Sequence, residues 1–162
     1  MKKKLIALFI ILLIVVICII FVVKSKETKP EEILNQYIDL LNEKKYEEMY
    51  GYITKQSKEK INQEDFIKRN KNIYEGIDAY DIKIEIKGIE KDKEDKTTKI
   101  TYDETMSTSA GSLTFENITK IKKDEKEYKI VWSSSLIFPQ LRDTDKVRIS
   151  TIQASRGEIL DR

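Results

Sequence analysis

Hydrophobic residues follow three different patterns along this chain. Residues 5–23 form an unbroken apolar run that comes directly after Lys2, Lys3 and Lys4. As a helix these 19 residues would span about 28 Å, close to the ~30 Å hydrocarbon thickness of a bilayer. We therefore predict a transmembrane anchor over 5–23 and, by the positive-inside rule, a cytoplasmic tail over 1–4.

A cleaved signal peptide is the alternative interpretation of this segment. A signal peptide has an apolar stretch of about 7–15 residues, followed by a cleavage site with small residues. The run here is longer, and the residues before Lys24 offer no such site. Cys18 follows Ile17, whereas lipoprotein processing needs a small residue there. We therefore expect a single-pass protein of the plasma membrane whose remaining part lies outside the cytoplasm.

Apolar residues next recur at helical spacing, after a charged linker over 24–30. Thr28 and Glu31 have the spacing of a capping box, and Pro30 fits the first turn of a helix. The residues expected on the buried face of this helix are Ile33, Leu34, Tyr37, Ile38 and Leu41.

Two further helices are predicted by the same spacing. One covers Tyr46–Ile53, and the other begins near Gln63 and ends at about Glu75. Gly76 then stands where a C-cap glycine would be. The buried faces are expected to carry Tyr46, Met49, Tyr50 and Ile53 in the first of these helices, and Phe66, Ile67, Asn70 and Ile73 in the second.

After Ile77 the period changes to two, which predicts four strands. Asn117 interrupts the alternation of the third strand, so we expect a β-bulge there. Charged residues 90–96 and 124–126 are expected to form turns. The first strand is expected to be half-buried, with Tyr80, Ile82, Ile84 and Ile86 on its buried face. The residues that mark the second, third and fourth strands are Ile100, Tyr102, Glu104 and Met106; Leu113, Phe115, Ile118 and Ile121; and Tyr128, Ile130 and Trp132.

Three helices followed by an antiparallel four-stranded meander define an α+β domain. We expect the sheet to be strongly curved and to wrap around the helices, so that aromatic side chains fill a cone-shaped interior. The predicted domain covers residues 31–141, which is enough chain to bury a core.

The composition excludes several kinds of chemistry. With no His and one Cys, the chain has no His-based metal site, no Ser-His-Asp triad and no intramolecular disulfide. Its 30 basic and 28 acidic residues are interleaved, which is typical of a solvated surface and not of a stripe that follows phosphates. We therefore expect no metal, no cofactor and no nucleic-acid partner.

Two stretches near the C-terminus resemble a known family. Residues 128–132 (YKIVW) and 135–141 (SLIFPQL) resemble the last strand and exit of the nuclear-transport-factor-2-like N-terminal extension of low-affinity class B penicillin-binding proteins, of the methicillin-resistance transpeptidase type. Residues 156–162 (RGEILDR) match the R-G-x-I-x-D-R motif that opens the pedestal module of these proteins.

The resemblance implies a division of the chain and a set of site residues. Residues 31–141 would be the N-terminal domain, and 142–162 the incomplete start of the pedestal module. The resemblance assigns Trp132, Phe138 and Pro139 to a core at the domain exit. It assigns four further residues to a motif between modules: Arg156, Gly157, Asp161 and Arg162.

The resemblance also implies a function. The complete protein would be a D,D-transpeptidase that cross-links peptidoglycan and takes part in the response to β-lactams. This chain would be its non-catalytic stalk or docking domain, in contact with the bilayer and with the pedestal and transpeptidase modules or other cell-wall synthesis proteins. Ser57 and Lys60 do spell S-x-x-K, but this spacing arises easily in a lysine-rich chain, so we reject Ser57 as a nucleophile and predict no catalytic residue.

A stand-alone membrane-tethered binding module, with a small ligand or a protein partner in its cone, is the alternative function. Glu104 shares a strand face with Ile100, Tyr102 and Met106; if this face points inward, the buried carboxylate would have a raised pKa and could act as a base. Because neither His nor an obvious second acid accompanies it, we favour a carboxylate at the rim or edge, paired with Lys.

Overall fold

The computed structural model describes residues 28–147. The predicted tail, the anchor over 5–23 and the motif over 156–162 lie outside the described residues. Within 28–147, no helix is both long enough and apolar enough to cross a bilayer.

The described chain consists of short helices followed by a four-stranded sheet. The helices are α1 (Pro30–Asn42), α2 (Tyr46–Tyr50), α3 (Lys55–Lys58) and α4 (Gln63–Tyr74); the strands are β1 (Tyr80–Asp92), β2 (Thr97–Thr108), β3 (Gly111–Asp124) and β4 (Glu127–Ile130). A 3-10 helix over Ser134–Leu136 follows β4. The strands are antiparallel and lie in the order β1-β2-β3-β4. The predicted α+β class, with helices packed on a four-stranded antiparallel sheet, is confirmed.

The buried face of α1 is the predicted one, but its cap lies one residue later than predicted. Ile33, Leu34, Tyr37, Ile38 and Leu41 are all buried. Lys29 is the N-cap residue, and its backbone N–H donates to Glu32 Oε2 at 3.3 Å. The helix begins at Pro30 because proline is favoured at the first helical position, where no N–H is needed.

The helix predicted over Tyr46–Ile53 is shorter than expected, because the chain pairs with the sheet at Ile53. Ile53 forms a parallel bridge with Ile130. The N–H of Thr54 donates to the Ile130 carbonyl at 2.9 Å, and the N–H of Ile130 donates to the Tyr52 carbonyl at 2.8 Å. The side chain of Thr54 then caps α3 by accepting from the N–H of Ser57. The described chain therefore has four α-helices in place of the three predicted.

Gly76 follows α4 as predicted, although its role differs from that of a left-handed C-cap. The left-handed residue of this turn is Asp78, with φ of 51°. At Gly76 a Cβ atom would lie 2.4 Å from the carbonyl oxygen of Asn72. Glycine is needed here because of a close approach to the backbone of α4.

The inward row of β2 confirms the alternation predicted for it, whereas that of β3 does not. Ile100, Tyr102, Glu104 and Met106 are buried. β3 pairs with β2 without a register shift, so the predicted bulge at Asn117 is wrong. Strict alternation places Asn117 inward, opposite Tyr102, and leaves Ile118 47% exposed on the outer face.

The irregular strand is β1. Its register with β2 shifts between Tyr80 and Lys83 and again between Ile86 and Gly88. Asp81 has a positive φ of 52° at the first shift, and Tyr80 is 61% exposed, so its predicted inward position is wrong. Nearby, the Asn42 side chain donates to the Ile82 carbonyl at 2.8 Å and accepts from its N–H at 2.9 Å. This amide joins the C-terminus of α1 to β1 at the edge of the sheet.

Candidate functional site

The chain leaves the sheet through an irregular segment, residues 131–147, which we call the exit segment. The side chain of Arg69, on α4, forms hydrogen bonds with backbone carbonyls of this segment. Its Nη1 donates to the Asp143 carbonyl at 2.8 Å, and its Nη2 donates to the carbonyls of Arg142 at 2.6 Å and Asp145 at 3.4 Å. A planar guanidinium can contact several acceptors in a fixed geometry, which an ammonium group cannot do. Arg69 therefore supplies hydrogen bonds to carbonyls that no strand partner satisfies.

Asp143 ties the exit segment back to its own beginning. Asp143 Oδ1 accepts from the Ser134 hydroxyl at 2.6 Å and from the Ser134 N–H at 3.4 Å. Asp145 Oδ2 accepts from the N–H of Arg142 at 2.9 Å. These contacts stabilise a turn over residues 142–145, and Arg69 of α4 donates hydrogen bonds to the carbonyls of the same turn. We call the Arg69 and Asp143 contacts together the exit clamp.

Ser57 joins α3 to the first residues of the exit segment. Its Oγ accepts from the N–H of Trp132 at 2.9 Å and donates to the Trp132 carbonyl at 3.3 Å. Thr54 Oγ1 lies 2.9 Å from the same Oγ. Ser57 is 3% exposed, so its hydroxyl is buried, and it is engaged by the Trp132 backbone and the Thr54 hydroxyl. These contacts support the rejection of Ser57 as a nucleophile.

Between α4 and the exit segment lies an open groove with a volume of about 830 Å³. Its lining combines apolar Ile61, Ile73 and Trp132 with charged side chains of both signs. Trp132 also packs edge-on against Phe66 of α4, with ring centroids 5.1 Å apart. The groove therefore lies between α4 and the exit segment, the two parts of the chain that the exit clamp joins, and Arg69 and Asp143 are among its lining residues.

A second polar group lies inside the domain. Glu104 on β2 is 1% exposed, and its Oε2 accepts from Asn117 Nδ2 at 3.4 Å. The same Asn117 nitrogen donates to the Leu136 carbonyl of the exit segment at 2.9 Å. Burial raises the pKa of Glu104 to about 8, while the Asn117 hydrogen bond lowers it in part. The expectation of a rim or edge carboxylate paired with Lys is therefore wrong.

Three buried tyrosines surround this carboxyl group. Tyr37 comes from α1, Tyr74 from α4 and Tyr102 from β2. Burial raises the pKa of each hydroxyl, and the nearby Glu104 charge adds to the effect. Among the described residues, Glu104 Oε1 and the Tyr102 hydroxyl are buried without a hydrogen-bond partner. The cluster is polar and buried, and Asn117 links it to the exit segment.

No metal centre is indicated in the described part of the chain. Residues 28–147 contain no group of three or more His, Cys, Asp or Glu side chains that could hold a metal ion.

The sequence model of the NTF2-like N-terminal transpeptidase domain matches residues 29–145. The chain belongs to this family. It is also similar to penicillin-binding protein 3 of Bacillus subtilis (strain 168), with 36% identity over 144 residues. That alignment covers 85% of this chain and 22% of the relative, so the chain spans less than a quarter of the relative's length.

The family assignment confirms the resemblance and places the exit clamp within the N-terminal transpeptidase domain. The match begins at Lys29, the N-cap of α1, and ends at Asp145, whose carbonyl accepts from Arg69. The division predicted at residues 141 and 142 remains a prediction.

The residues predicted for the domain exit have different environments. Trp132 is 6% exposed, and Phe138 is half-buried with its ring 5.4 Å from that of Phe115. Pro139 is exposed and lies outside the core. The four residues of the predicted motif between modules lie outside the described residues: Arg156, Gly157, Asp161 and Arg162.

The sequence offered few signals for the remaining site residues. Arg69 contacts backbone carbonyls, which leave no trace in the pattern of side chains. The pairing of Glu104 with Asn117 had a signal, because both are polar residues at inward positions of neighbouring strands.

Proposed function

We propose that this chain is a membrane-anchored, extracytoplasmic stalk and docking domain of a penicillin-binding protein. In this proposal residues 5–23 hold it in the plasma membrane with the N-terminus in the cytoplasm. The complete protein would carry the pedestal and transpeptidase modules and cross-link peptidoglycan. The family assignment and the similarity to penicillin-binding protein 3 of B. subtilis support this proposal.

The exit clamp is the observation that carries the stalk function. A stalk sets the position of the next module only if the chain leaves it in a defined direction. Arg69 contacts three carbonyls, and Asp143 contacts the backbone and hydroxyl of Ser134. These contacts reduce the conformational freedom of the segment that would lead to the pedestal.

The proposal can be tested in a complete protein that carries this domain. We expect Arg69→Gln to leave covalent labelling by penicillin unchanged, since the labelled module is separate, and to lower peptidoglycan cross-linking in cells. Arg142→Gln is the matched control, because it removes an exposed guanidinium from the same segment. Cross-linking equal to wild type in the Arg69 variant would argue against a stalk that positions the catalytic module.

Membrane topology requires a separate experiment. In intact spheroplasts, we expect an external protease to digest residues 28–147 while an epitope placed before residue 5 stays protected. Protection of the domain would contradict the outward orientation.

A further inference from the structure

One carboxyl group in the interior has no part in the proposed stalk function. Glu104 points inward from β2, and its two oxygens differ in environment. Oε2 accepts from Asn117, whereas Oε1 is buried and has no partner in the part of the chain that the structure describes.

Every element packed around Glu104 presents a neutral group to it. Its cross-strand neighbours are Ile84 on β1 and Phe115 on β3. The polar groups around it are Tyr37 from α1, Tyr74 from α4, Tyr102 from its own strand, and Asn117 from β3. No Lys or Arg is among the buried residues of the described chain. A carboxylate here would be desolvated without a counter-charge, whereas a carboxylic acid fits the site.

Asn117 connects this acid to the exit segment. Its side-chain nitrogen donates to Glu104 Oε2 and, at 2.9 Å, to the Leu136 carbonyl. Leu136 is buried and lies in the 3-10 helix over Ser134–Leu136, and Ser134 is the partner of Asp143 in the exit clamp. A change in the charge of Glu104 can therefore reach the exit segment through two hydrogen bonds that share the Asn117 nitrogen.

We propose that Glu104 is a proton-controlled switch: the domain folds around the protonated acid, and loss of the proton loosens the exit segment through Asn117. An ionised Oε2 is a stronger acceptor for Asn117 Nδ2 than the neutral acid, so the carboxylate would draw this nitrogen away from the Leu136 carbonyl. The raised pKa of Glu104, about 8, places this event in mildly alkaline conditions.

The direction of the pH dependence follows from the sign of the shift. The folded-state pKa of Glu104 is raised from the ordinary value of 4.5 to about 8, so the folded state holds the proton more tightly than the unfolded state. Its contribution to stability is complete below pH 4.5, decreases as the pH rises towards 8 and is lost above that.

The first experiment is a titration of the full chain in a non-ionic detergent. We expect the carboxyl carbon signal of Glu104 in NMR to titrate near pH 8. Over the same range the amide signals of Leu136 and Ile137 should shift. Titration of Glu104 near pH 4.5, or amide signals that do not change with it, would overturn the proposal.

Two variants separate this switch from the other ionisable groups. Denaturant midpoints can be followed by fluorescence, since Trp132 is the only tryptophan of the chain. Between pH 5 and 9 we expect the midpoint of Glu104→Gln to fall less than that of wild type. Glu116→Gln, which changes an exposed residue on β3, should keep the wild-type dependence. Equal pH dependence in wild type and the Glu104 variant would contradict the switch. If that variant does not fold, the carboxyl titration of the wild type decides.

Discussion

Removing the guanidinium of Arg69 should release the exit segment while leaving the rest of the domain folded. Arg69 makes two short hydrogen bonds, of 2.8 and 2.6 Å, and a longer one of 3.4 Å. A hydrogen bond with a charged partner contributes about 1.5–3 kcal/mol. Because Arg69 is half-buried and glutamine can keep one contact, we expect Arg69→Gln to lower the free energy of local opening by about 2 kcal/mol. This corresponds to roughly a thirtyfold rise in the open population.

Amide hydrogen exchange measures this opening directly. The N–H of Arg142 donates to Asp145 Oδ2, and the N–H of Asp145 donates to the Arg142 carbonyl, so both amides report on the clamped turn. In Arg69→Gln both should exchange faster by the factor above, while amides of β2 should keep their wild-type rates. Arg69→Lys should lose most of the protection, because an ammonium group cannot reach three carbonyls in one geometry. Unchanged exchange at these two amides, or the same increase in the Arg142→Gln control, would refute the clamp.

Other variants test the remaining contacts. Ser57→Ala leaves the buried backbone of Trp132 without its partner and should lower the free energy of unfolding by about 2–3 kcal/mol in denaturant titrations, whereas exposed Ser133→Ala should stay within about 0.5 kcal/mol of wild type. Equal decreases in the free energy of unfolding in both serine variants would contradict a stabilising role for the contacts between Ser57 and the Trp132 backbone. Gly76→Ala places a Cβ 2.4 Å from a backbone carbonyl and should cost about 1–3 kcal/mol. Gly88→Ala, where a Cβ meets open space, should cost less than 1 kcal/mol. If Gly88→Ala lowered the free energy of unfolding as much as Gly76→Ala, the close approach of Gly76 to the Asn72 carbonyl would not explain the loss.

The predicted helices and strands match the structure where one face of an element is apolar throughout. The α1 face meets this condition and was predicted correctly. The buried row of β2 was also predicted correctly, because its alternation is strict even though it includes Glu104. At Asn117 the rule failed because it assumes that an inward position is apolar. The structure has a polar pair inside, and each partner alone looks like an exception to the pattern. Only the pairing of β2 with β3 explains both.

The exit clamp could not be predicted from the sequence for a different reason. The carbonyls that Arg69 contacts are 73 to 76 residues away along the chain. A backbone acceptor requires no particular side chain at Arg142, Asp143 or Asp145, so no motif marks it. The family resemblance was predictable because it depends on local stretches such as YKIVW at residues 128–132.

The most direct test of a non-catalytic transpeptidase N-terminal domain is labelling of the purified chain with a fluorescent penicillin. A complete penicillin-binding protein serves as the positive control. We expect no covalent adduct on this chain, because the Ser57 hydroxyl is buried and engaged with the backbone of Trp132. A labelled band that survives denaturation, and that disappears in Ser57→Ala, would contradict this account.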